Sequence, residues 1–256
     1  MWDFFSQCGI KRKRDFVNNA EILVNSWTKL LKRTAYSPDK DLIDKLDASA
    51  KEFLKRFVNK YLKIVDNTED TCDGSTLKYI IGFELTEVKG SNTIFGPLTE
   101  MSLYCYDITI NILHEMIHIC ASPYKVQNEK KTEMAKKLEE RLGWLIQFVA
   151  FILKAKSSSP KGFGTSDQKE VQIYVMILQL MQYTSSLYQQ NYFVSLSLEF
   201  AYLSFCEGFR KEVIGNPKEV TYDSDFASSS DTYSVLQSQL HVTNFYQVID
   251  LILQKL

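Results

Sequence analysis

PLTEMSLYCYDITINILHEMIHICA, residues 97–121, is the stretch whose reading decides the fold. On a helical wheel Met101, Cys105, Ile108, Ile112, Met116 and Ile119 form one apolar side. Leu103, Tyr106, Ile110, Leu113 and Ile117 form another. A helix apolar over more than half its circumference is packed between neighbours, not laid on a single core. Pro97 suits the first turn of this helix, and Pro123 is expected to end it.

The same demand recurs at 138–152, where Leu138, Leu142, Leu145, Val149 and Ile152 share a helix with Trp144, Phe148 and Phe151. Stacked helical repeats create it, because each helix touches its own pair and the adjacent pairs. Working outward, Phe16, Ala20, Leu23, Trp27, Leu30 and Leu31 mark a helix over 15–33. A second helix is predicted from Ser37-Pro38, with Ser37 as cap, through Val65. Ser166-Asp167 is a cap for a helix through about Leu187, and Asn191 for one through Val213. Two short helices are predicted near 232–240 and 244–255. The fold class expected is all-α, a HEAT-repeat-like solenoid of antiparallel helix pairs with no sheet. Residues 1–256 read as one continuous segment of the array, with loops near 66–96, 156–166 and 215–231.

Composition agrees with this architecture. The chain of 256 residues has only 10 Gly and 5 Pro, few for folds that turn often. Lys and Arg number 30 against 31 Asp and Glu, which excludes a strongly basic nucleic-acid binder. Five scattered Cys with no C-x-x-C read as small core hydrophobes in a reducing compartment. The strongest apolar run, 142–153, falls short of the roughly 20 residues a membrane span needs, so no membrane insertion is expected. Lys11-Arg12-Lys13-Arg14 follows the first apolar residues instead of preceding them, unlike a signal peptide. It reads as a solvated lead into a helix, with a nuclear-localisation or acidic-partner patch as the functional alternative. Gly162-Phe163-Gly164-Thr165-Ser166 lacks the lysine and preceding strand of a phosphate loop. Tyr183, Tyr188 and Tyr192 with Phe193 are helix-spaced aromatics, a pattern more typical of core than of an exposed patch.

The sharpest chemical motif is His114-Glu115-Met116-Ile117-His118. On a helix it sets two imidazoles one turn apart, able to grip zinc, with Glu115 as general base for a bound water. A third ligand is then required. His241 is the only other histidine, and Glu129, Glu133, Glu139 and Glu140 are the nearest downstream glutamates. The usual glutamate spacing lands on Lys137. Against the metallohydrolase reading, Asp107, Asn111, His114 and His118 fall on one narrow polar stripe of an otherwise apolar helix. That is the solvent edge of a packed helix, and no catalytic, cofactor or metal residue is assigned.

Three ordered stretches carry a resemblance: Glu140-Arg141-Leu142-Gly143-Trp144-Leu145, then Ile177-Leu178-Gln179-Leu180-Met181, then LEFAYLSFCEGFRKEVIG at 198–215. In that order they resemble the middle of the exportin-seven group of nuclear transport receptors, in the importin-β superfamily. The likeness is strongest over 138–215 and extends weakly to Ser26-Trp27-Thr28-Lys29-Leu30 and forward to Leu256. Cys206 stands where an aromatic residue is expected, and 66–97 has no clear counterpart. The resemblance implies a HEAT-repeat superhelix and a central fragment of a Ran-GTP-dependent receptor that shuttles protein cargo between nucleus and cytoplasm. It further implies no enzyme activity and no cofactor. The partners implied are Ran, mainly through repeats outside this stretch, protein cargo and nucleoporins, with no numbered residue assigned to any of them. An unrelated helical scaffold fits the periodicity alone equally well.

Overall fold

The computed structural model describes residues 13–34, 39–66, 95–129, 132–157, 168–188, 190, 192 and 194–210. The described residues are all-α in the manner of a helical-repeat solenoid, as the sequence predicts, and no strand occurs among them. In chain order the helices are α1 (Lys13–Thr34), α2 (Lys40–Asp66), α3 (Phe95–Tyr104), α4 (Tyr106–Glu129), α5 (Glu133–Ser157), α6 (Gln168–Tyr188) and α7 (Leu196–Phe209). The chain clusters into two compact units, Met1–Tyr106 and Asp107–Leu256. Lys11, Arg12, the glycine loop at 162–166 and the short helices near 232–240 and 244–255 lie outside the described residues. So do almost all of the three expected loops. None of the described helices is long and apolar enough to cross a membrane.

In the first unit Asp39 caps α2, its Oδ1 accepting from Leu42 N at 3.1 Å and its carbonyl from Ile43 N at 3.2 Å, while the expected cap Ser37 lies outside the described residues. Burial of Val24 and Leu31 on α1, of Phe53, Leu54, Phe57, Val58 and Tyr61 on α2, and of Phe95, Leu98 and Met101 on α3 makes the core. Trp27 meets Phe53 at 5.5 Å between ring centroids. The Thr28 hydroxyl donates to the Pro97 carbonyl at 3.4 Å, and Lys32 pairs with Glu100 at 2.7 Å, separations of 69 and 68 residues. Nearly equal offsets four residues apart mean that α1 and α3 run parallel.

Residues 97–121 are not one helix. The helix interrupts at Cys105, whose N–H still bonds the Met101 carbonyl at 3.1 Å. Nor does Pro123 end α4, which continues through it to Glu129. A proline inside a helix costs about 3 kcal/mol. Here tertiary contacts just beyond it hold the last turns. Tyr124 is fully buried, its hydroxyl donates to Glu139, and the Tyr183 hydroxyl donates to the Lys125 carbonyl at 3.2 Å. Thr132 pins the start of α5, its hydroxyl donating to the Gln127 carbonyl and accepting from Ala135 N, each at 3.3 Å. The cap of α7 is Ser195, not Asn191, and its hydroxyl accepts from Leu198 N at 3.4 Å.

The second unit is two stacked hairpins. Lys169 at the start of α6 donates to Asn111 near the start of α4, and Tyr183 reaches Lys125 near the other ends. Both bonds span 58 residues, so α4 and α6 are parallel and in register. The second helices repeat the pattern: Ser195 N bonds Glu139 across 56 residues and Ser197 bonds Glu140 across 57. At the far end Lys154 pairs with Glu207 at 2.6 Å. Within a hairpin the helices are antiparallel, for Tyr174 early in α6 packs on Phe205 and Phe209 late in α7.

Every residue from 142 to 150 on α5 is buried, so the two-sided pattern read from the sequence is real. Trp144, Leu145, Ile146 and Phe148 are wholly inaccessible. Each such side chain contributes about 1.5–3 kcal/mol of burial, against 0–1 for the half-exposed Lys154–Glu207 pair. The register of α5 on α7 is set by glycine. A Cβ on Gly143 would lie 3.2 Å from the Ser197 carbonyl carbon, and one on Gly208 would lie 3.0 Å from Leu153 Cβ and 3.2 Å from the Ala150 oxygen. In an open helix Gly→Ala gains about 1 kcal/mol, whereas overpacking costs about 1–3. Gly208→Ala is therefore expected to destabilise by about 1 kcal/mol in chemical denaturation.

Candidate functional site

His114, Glu115 and His118 lie mid-way along α4, with Glu115 and His118 exposed and His114 half-buried beside α6. Burial first, then His118 and the Lys169 ammonium, depress the His114 pKa. A side-chain hydrogen bond with Gln172 opposes them. Two imidazoles one turn apart are present, but Glu133, Glu139 and Glu140 are engaged elsewhere, and the Glu129 side chain lies outside what the structure describes. Glu133 is exposed and pairs with Lys136 at 3.5 Å. Glu139 and Glu140 turn toward the start of α7, and His241 lies outside the described residues. No three His, Cys, Asp or Glu side chains among the described residues are grouped to hold a metal ion. The polar stripe instead serves α4–α6 packing, through Lys169–Asn111 and Gln172–His114.

Two buried polar knots, which sequence reading did not find, flank the apolar middle of α5. At its start Glu139 is 2% exposed. Its Oε1 accepts from the hydroxyls of Tyr124 at 3.0 Å and Tyr192 at 3.1 Å. Its Oε2 accepts from Ser195 N at 2.8 Å. One carboxylate thus ties α4, α5 and the link into α7. Burial beside this carboxylate pushes the Tyr192 hydroxyl up to about 12 and raises Tyr124 as well. Next to it the Ser197 hydroxyl donates to Glu140 Oε2 at 2.7 Å.

At the other end Lys156 Nζ donates to both oxygens of Glu170, at 2.9 and 3.0 Å, and the Tyr174 hydroxyl donates to the same carboxylate. The Lys156 and Glu170 side chains are 6% and 2% exposed, so this is an interior ion pair joining α5 to α6. The sequence offers no signal for it, since a lysine in a last helical turn normally reads as a solvated dipole partner. Cys105, Cys120 and Cys206 are buried, as small core residues. Burial, with Asp47 nearby, lifts the Cys105 thiol to about 11.

These knots, the glycine seam and the parallel registers together fix how the helices of the second unit pack. Residues 93–256, well over half of the chain, match a family model described as the exportin-7-like TPR domain. The chain belongs to the exportin-7-like family. The match begins two residues before α3 and takes in both stacked hairpins, including the ordered stretches at 140–145, 177–181 and 198–215. No curated protein and no solved structure matches the chain.

For this exportin-7-like chain, two outcomes follow from the site. Lys156→Ala strands the Glu170 carboxylate and is expected to cost about 3–5 kcal/mol in denaturant unfolding. The paired replacement Lys156→Met with Glu170→Leu should recover most of that loss. Protein prepared in metal-free buffer is expected to carry no stoichiometric zinc by elemental analysis. Zinc at one per chain, lost on His114→Ala, would contradict this.

Proposed function

We propose that this exportin-7-like chain is a segment of a nuclear transport receptor that carries protein cargo between nucleus and cytoplasm under the control of Ran bound to GTP. The family match over stacked helical hairpins is the observation that carries the reading. On this proposal the 256 residues are consecutive steps of one repeat array, and the array binds rather than catalyses. The His114-Glu115-His118 motif then belongs to the packed and solvated faces of α4. Protein cargo and nucleoporins are its further partners, with no nucleic acid and no membrane insertion, and it shuttles through the nuclear pore. A formal charge of -1 supports protein partners over a polyanion.

Repeat receptors spread binding over many units, so affinity accrues by summing modest contacts. The principal Ran contact is assigned to repeats outside this segment. Residues 1–256 titrated against Ran-GTP are therefore expected to bind about a hundredfold or more weaker than the full-length receptor. Equal affinities would place the Ran site within these residues and overturn the assignment of the segment as supporting.

A further inference from the structure

Packing against α6 accounts for only one of the two histidines on α4. His114 is half-buried beside α6, whereas His118 is exposed one turn later on the same helix. Side chains four residues apart on a helix share a face, with Cβ atoms about 5–6 Å apart. One nitrogen from each ring can then reach a common ion at about 2.0–2.1 Å, the usual metal–imidazole length.

Gln172 prepares the inner ring for such an ion. Its hydrogen bond with His114 favours the charged imidazole, so a ring N–H donates and the amide oxygen of Gln172 accepts. In the neutral ring the other nitrogen is then the acceptor, with its lone pair available. A histidine whose N–H is held by an outer acceptor is how proteins orient metal-binding imidazoles. The Lys169 ammonium near His114 opposes a cation, but it donates to Asn111 Oδ1. Glu115, exposed between the two histidines in sequence, adds a negative charge.

We propose that His114 and His118 form a two-imidazole site for a Cu²⁺ ion on the face of α4, with solvent completing its coordination. A third protein ligand is a requirement of tetrahedral zinc sites, not of the tetragonal nitrogen–oxygen geometry that Cu²⁺ prefers. Copper also stands above zinc in affinity for a given set of imidazoles. The two rings hold the ion by chelation, and no reaction is assigned to it.

Cu²⁺ added below one equivalent to the 256-residue chain, read by electron paramagnetic resonance, tests the site. The parent is expected to bind one Cu²⁺ per chain, with splitting from two imidazole nitrogens. Because His118 is exposed, His118→Ala leaves the helix packing intact. That variant should show splitting from one nitrogen and bind about a hundredfold more weakly, the scale of a lost second attachment. His241→Ala, which removes the remaining histidine, should bind as the parent does. Cu²⁺ should also raise the denaturant midpoint of the parent and not of His118→Ala. Single-nitrogen splitting in the parent would overturn the proposal. So would equal binding by His118→Ala, the result expected of an adventitious ion.

Discussion

Helices α5 and α7 approach to backbone contact, and much of the second unit depends on that approach. Gly143 sits against the first turn of α7 and Gly208 against the last turns of α5, so the seam is pinned at both ends. Pinning at two points fixes direction and register together. Only in that register do Ser195 and Ser197 meet Glu139 and Glu140, and Lys154 meet Glu207. Slippage by a turn would drive backbone against side chains at the glycines and strand buried carboxylates. Sterics specify the arrangement, and buried polar groups penalise every alternative.

The apolar and polar faces then divide the work. Helix α5 is enclosed through its middle, while α4 and α6 lie side by side with uncharged and charged polar groups bridging them. Of the two histidines, His114 belongs to this outer ladder, through Gln172. The environment of the motif supplies a hydrogen bond between α6 and His114, and among the described residues no third ligand is grouped with the two imidazoles.

Much of the helical content was legible because burial on two faces leaves an unmistakable pattern, as in residues 97–121 and 138–152. What failed were the punctuation marks. Pro123 reads as a terminator from local chemistry, but Tyr124 and Lys125 gain enough from distant partners to carry the helix through it. Cys105, an ordinary residue in the pattern, is where the helix breaks, and nothing local marks it. Ser195 caps α7 because its backbone is already tied to Glu139, a contact 56 residues away that no window of sequence contains. Glu139 itself entered the reading only as a possible zinc ligand. A carboxylate beside Glu140 and Arg141 looks solvated until the tyrosines of two other elements are seen around it. Long-range polar pairing is invisible to periodicity, whereas apolar enclosure is periodic by nature.

The central structural claim is that successive hairpins of the second unit stack with α4 and α6 parallel. Distances between spin labels at positions 107 and 168, and at 122 and 168, test it directly. Residues 107 and 122 are separated along α4 by about 22 Å at 1.5 Å per residue. Parallel stacking requires the first pair to be close, at about the 8–10 Å between packed helix axes, and the second to be about 24 Å apart between backbones. A short distance for 122 with 168 and a long one for 107 with 168 would mean antiparallel packing and would contradict the account.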